Sequence, residues 1–134
     1  MTPSHNPAAA GFRDLVVYAD ENARARLAFA ARFARHQGAH LVALYALTEP
    51  NLPPSVRAFA GTSLMESLRD QVRETAAAVR KIVAETGDAE GIDIEYREAW
   101  GIPGDVALVH ARHADAMVVP QPDRRASGDA ALLA

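Results

Sequence analysis

The chain has 134 residues, with 14 Lys plus Arg against 17 Asp plus Glu, a formal net charge of −3 and no cysteine. One domain of this length can bury most of its apolar surface, and 49% apolar with 23% charged residues is a globular composition, not a disordered one. Disulfides, thiol nucleophiles and cysteine–zinc sites are excluded, the mild acidity gives no electrostatic footprint for nucleic acid, and no apolar run approaches the roughly 20 residues of a membrane span.

Residues 1–11 lack the basic cluster and long apolar stretch of a secretory signal. Pro3, Pro7 and the neighbouring alanines read as a flexible leader, residues 12–134 as one domain, and the expected location is the cytoplasm. Leu15, Val16, Val17 and Tyr18 form a short continuous apolar run within residues 13–19, which predicts a strand buried on both faces. Asp20 or Asn22 is then expected to cap a helix. Leu27, Ala30, Ala31 and Ala34 fall at helical spacing, and Gly38 marks the stop. Residues 39–47 predict a second buried strand.

Pro50, Pro53 and Pro54 argue against regular structure over residues 48–61. Thr62 or Ser63 is expected to restart a helix. Its apolar stripe is Leu64, Leu68, Val72, Ala76, Val79 and Val83, and Gly87 and Gly91 bracket its exit. Residues 92–99 alternate apolar and polar, as in a half-exposed strand at a sheet edge. A turn through Gly101 follows, then a helix opened by Pro103 that carries Val106, Ala107, Val109, His110 and Ala114. Residues 116–119 predict a fourth strand ended by Pro120, and residues 128–134 the start of a fourth helix. Strands alternating with helices predict an α/β fold: an open parallel sheet with helices on both faces.

Ligands in such sheets bind beyond the carboxyl ends of the strands, where strand order reverses. Asp20 ends the first strand and is therefore a candidate, with a helix cap as its competing role. The loop after strand four contains Pro120, Pro122, Asp123, Arg124 and Arg125. Its arginines attract phosphate, but two prolines contribute no N–H and no glycine-rich cradle is present. A solvated loop is the simpler account. His110 and His113 lie three apart with Asp115 nearby, a spacing compatible with a metal. Histidine near a helix C-terminus explains them more simply, and also explains His36 and His40. Ser55, Ser63, Ser67 and Ser127 sit in no nucleophile elbow. Asp93 and Glu95 share a strand face opposite Glu98, as solvated carboxylates do. No catalytic set is read.

Taken in order, these segments resemble the universal stress protein family. The resemblance rests on the first strand ending at Asp20, the Ala-rich helix stopping near Gly38, and the strand through Ala43, Leu44 and Tyr45. It rests also on Gly101, Ile102, Pro103, Gly104, Asp105 and Val106, and on residues 110–119, and it spans residues 12 to about 120. It implies a five-stranded parallel sheet of order 3-2-1-4-5, a dimer, and a stress-response role without catalysis. In the ATP-binding branch, the acid ending strand one and the second-strand backbone hold adenosine. A Gly-x-x-Gly, nine residues, Gly-Ser/Thr loop holds the phosphates. Asp20 matches the acid, and the backbone near Ala43 would match the second strand. Pro120 stands where the first glycine belongs.

The expected protein is thus a regulatory stress-family domain that binds no ATP and needs no cofactor. It is expected to form a homodimer and to meet an unidentified protein partner. The alternative is an adenine-nucleotide binder, of ATP or AMP, that uses Asp20, Ala43, Arg124 and Arg125 around an atypical loop. A phospho-receiver would need an Asp at the end of strand three, where Glu98, Ala99 and Trp100 stand. A small hydrolase, and a ligase of the related kind, lack their motifs. No counterpart of the family's fifth strand is read before Ala134, so strand four is expected to be an uncovered edge that would favour pairing with another chain.

Overall fold

The computed structural model describes residues 11–121. Seven elements follow in order: β1 (Asp14–Tyr18), α1 (Arg24–Gln37), β2 (His40–Leu47), α2 (Pro54–Glu90), β3 (Ile94–Trp100), α3 (Pro103–Ala111) and β4 (Ala116–Val118). The strands form one parallel sheet of order β3-β2-β1-β4. These are the first four places of the expected order. β3 lies at an edge, as its alternating pattern predicts. The fourth helix, and Arg124 and Arg125, lie outside the described residues.

β1 is flanked on both sides. Val17 is in register with Ala43 of β2 and Val118 of β4. A strand with neighbours on each side and helices above and below has no polar face to offer. Leu15, Val16 and Val17 are accordingly buried. α1 and α2 cover one face, where Leu15, Val17, Leu27, Ala30, Ala31, Ala34, Val79 and Val83 pack together. α3 covers the other, where its Val106 meets Val16, Val42, Leu44 and Ala46. The small residues of α1 let its backbone lie close to the sheet, while Leu27 supplies the bulk.

Several expectations need correction. No side chain caps α1: the helix starts at Arg24, and its N-cap is Ala23. Asp20 and Asn22 instead form the preceding turn, in which the Asn22 N–H donates to Asp20 Oδ1 at 2.9 Å. Gly38 does close α1, its N–H reaching back to Ala34 and Arg35 carbonyls. The proline-rich segment is not wholly irregular. Pro54 occupies the first turn of α2, where a missing N–H costs nothing. The helix breaks at Gly61 (φ 68°, ψ 171°), a conformation that glycine tolerates, and resumes at Thr62 as expected. The predicted stripe is buried only in its second half, at Ala76, Val79 and Val83, whereas Leu64 is exposed because it lies beyond the cover of the sheet. Gly87 and Gly91 do bracket the exit of α2, which ends at Glu90 with Gly91 as its cap and the Gly91 N–H donating to the Gly87 carbonyl. Gly87 lies within the last turns, so close to β3 that a Cβ there would approach the Ile92 carbonyl oxygen to 2.8 Å. α3 ends at Ala111, and Val109 is exposed.

Asp115 fastens the amino end of the sheet. Its Oδ2 accepts the backbone N–H groups of Arg13 (2.6 Å) and Asp14 (2.9 Å), so the turn before β4 is tied to the start of β1. These two bonds hold its carboxyl below the ordinary range. A depressed folded-state pKa stabilises the protein above the unfolded-state value, and that stabilisation is lost as pH falls through the folded value. Urea midpoints should therefore favour the native chain over Asp115→Asn near pH 7. The gap should close on acidification below the usual carboxylate range. A gap independent of pH would show that the charge contributes nothing.

Candidate functional site

The strand order reverses at β1: β2 and β3 extend to one side and β4 lies on the other. The crevice at such a reversal opens at the carboxyl ends of β1 and β4. Asp20 follows β1 by two residues, and Pro120 follows β4 by two. Asp20 thus lies at the switch point, as its position in the sequence suggests.

The carboxylate of Asp20 is already engaged. Oδ1 accepts the Asn22 N–H, and Oδ2 lies 3.4 Å from Arg26 Nη2. Arg26 Nη1 donates to the Tyr18 carbonyl at 2.7 Å. The Arg26 side chain retains only 14% of its exposure, against 32% for Asp20. Arg26 therefore binds the end of β1 and its acid together from the first turn of α1. Nothing in the sequence announces it, because an arginine in an Ala-rich helix reads as a solvated side chain. Only the fold turns it inward.

Around this corner the phenols are pushed up. Burial raises Tyr18, opposed by a hydrogen bond from the Ala46 backbone. Burial also raises Tyr45, and Glu21, Asp20 and Glu98 add negative charge around it. Ala43 lies deeper than the resemblance suggests. It pairs with Val17 on one side and Tyr96 on the other, four positions before β2 ends, and is fully buried. The β2 backbone nearest the Asp20 corner lies at Leu44, whose carbonyl accepts the Ala19 N–H at 2.8 Å, and at Ala46.

Two grooves open on the same edge of the sheet. One, of about 620 Å³, is lined by Glu49, Arg57, Gly61, Thr62, Met65 and Arg69, with Arg69 Nε 3.2 Å from Glu49 Oε2. The other, of about 330 Å³, lies at the β3–α3 junction between Ala99, Ile102, Val106, Val109 and His110. Asp20 lines neither.

The other residues singled out in the sequence serve the frame. Glu95 and Glu98 face opposite sides of β3. Glu98 takes the Tyr96 hydroxyl at 2.9 Å and Arg80 at 3.4 Å. Glu95 meets Arg97 and His40, and the Arg97 hydrogen bond is the main reason its carboxyl is held low. His40 lies between Asp14 (3.5 Å) and Glu95 (3.3 Å) at the amino end, away from the switch point. Asp115 directs its carboxylate at backbone, not at His110 and His113. Among the described residues, no group of three or more His, Asp or Glu side chains is placed to hold a metal.

The model of the Universal stress protein family matches residues 12–133. The chain belongs to the universal stress protein family. The universal stress protein UspA from Lactobacillus plantarum superposes with a TM-score of 0.63 at 21% identity, over 86% of this chain and 84% of that one. A universal stress protein family member from Burkholderia pseudomallei gives 0.58 at 18% identity, over 81% and 80%. A universal stress protein in complex with cAMP gives 0.51 at 21% identity, over 79% and 70%. At these identities the likeness establishes the fold. Comparison with curated proteins returns no match. Among the described residues, no helix is long and apolar enough to cross a membrane.

Proposed function

We propose that this universal stress protein domain is a non-catalytic, cytoplasmic regulator that works through protein contacts as a homodimer and does not hold ATP. The observation that carries this reading is Pro120. A phosphate cradle at the switch point is built from backbone N–H groups on glycine-like geometry. Directly after β4 this chain places Val119, then a residue with a fixed φ and no N–H. Dimerisation is supported by membership of the family, in which pairing of domains is common.

Calorimetric titration with ATP and Mg²⁺, with Asp20→Ala as control, tests the nucleotide part. No heat is expected from either protein. Micromolar binding lost in the control would overturn the reading.

A second reading has one observation in its favour. Asp20 lies at the switch point, and the relative crystallised with cAMP carries a ligand with a single phosphate. An adenine nucleotide seated at Asp20, with its phosphate served by an atypical loop, would give heat with AMP or cAMP where ATP gives none.

A further inference from the structure

We infer that Arg26 is a built-in plug for the Asp20 corner, its guanidinium occupying the one carboxylate oxygen, Oδ2, that the Asn22 turn leaves open to a hydroxyl-bearing ligand such as a nucleoside. The inference rests on the reading above, in which the native chain does not hold ATP.

Three observations support it. First, a carboxylate at the switch point is a natural acceptor for the hydroxyls of a ribose, because it takes two donors without offering one back. Here Oδ1 is taken by the Asn22 N–H and Oδ2 faces Arg26. Second, Arg26 occupies an unfavourable place for a cation. It belongs to the first turn of α1, which has no acidic residue, and the helix dipole there is positive. An arginine so enclosed is retained only with compensating partners. Those partners are Asp20 and the Tyr18 carbonyl. Its neighbour Arg24, with the same dipole to contend with, turns outward to Glu85 and stays 65% exposed. Third, the contact is local and self-contained. It joins residues six apart across the β1–α1 turn, so it closes the corner without depending on the loop after β4.

A neutral hydroxyl competes poorly for a carboxylate already facing a guanidinium, because the charge-assisted bond is the stronger of the two. Removing the guanidinium should therefore uncover the site rather than damage it.

The test is calorimetric titration of adenosine into the native chain, Arg26→Gln and Arg26→Met, each with and without Asp20→Asn. Circular dichroism melting confirms that each variant is folded. If both substitutions unfold the chain, Arg26→Ala, which also removes the cation beside Asp20, takes their place. The expected result is no heat from the native chain and adenosine binding in the Arg26 variants, a gain of at least about tenfold in affinity. That gain should be lost again with Asp20→Asn. Folded Arg26 variants as silent as the native chain would overturn the plug and leave the proposed function standing. Native adenosine binding that depends on Asp20 would favour the second reading of the site, and with Arg26 variants that bind no more tightly it would overturn the plug.

Discussion

Leu27→Ala is expected to lower the unfolding free energy by about 3 kcal/mol, the usual cost of emptying a leucine-sized space in a packed core. Leu27 is fully buried, the one large side chain among the buried residues of α1, in a layer it shares with Leu15, Val17, Leu41, Val79 and Val83. Ala30, Ala31 and Ala34, its buried companions on α1, have no side chain to swing into the gap, so much of the cavity should persist. For a chain of this length the loss corresponds to a fall of about 10 °C in melting temperature. Leu108→Ala is the matched control, because Leu108 is 61% exposed on α3 and its truncation should change the midpoint by less than about 0.5 kcal/mol. Equal losses at the two positions would mean that α1 is not the lid of the core.

The second large effect is expected at Gly101. Its φ is 152°, outside the range of ordinary side chains, and an added Cβ would lie 2.9 Å from Val106 Cγ2. Val106 is the one buried residue of α3 and the plug of the second core layer. Gly101→Ala therefore combines backbone strain of about 1–3 kcal/mol with displacement of that valine. Gly104→Ala, three residues on, meets nothing within 4 Å and has no positive φ, so it should be neutral or slightly stabilising. The single tryptophan of the chain, Trp100, adjoins the turn and reports its unfolding by fluorescence. A urea midpoint unchanged by Gly101→Ala would show that the turn relaxes freely.

The fold was legible where one physical signal dominated. The run from Leu15 to Tyr18 has no polar alternation because both faces of β1 are covered, and helical spacing from Leu27 to Ala34 marks the covered side of α1. Signals with two meanings misled. Pro54 reads as a breaker beside Pro50 and Pro53, yet it is a good first residue for α2. Gly87 and Gly91 bracket the end of α2 as read, but that Gly87 is also a point of close approach to the segment entering β3 was not legible. At the switch point the acid was visible and its partner was not. Asp20 follows from its place at the end of a strand, but Arg26 joins it only because α1 starts late, at Arg24, and aims its first turn back across Tyr18. The depth of Ala43 likewise depends on register, which a single sequence does not reveal.

The central place of β1 also governs the order in which the molecule can be completed. One side of β1 is satisfied early, by β2, which emerges about two dozen residues later. Its other side waits for β4, and the bonds from Arg13 and Asp14 to Asp115 span separations of 102 and 101 residues. Such distant pairings slow folding, since the intervening loop must close before they contribute. At a synthesis rate of about 5–20 residues per second, a nascent chain carries that bare strand edge for at least about 5 s. For those seconds the newborn protein is a client for chaperones and a hazard to its neighbours on the polysome.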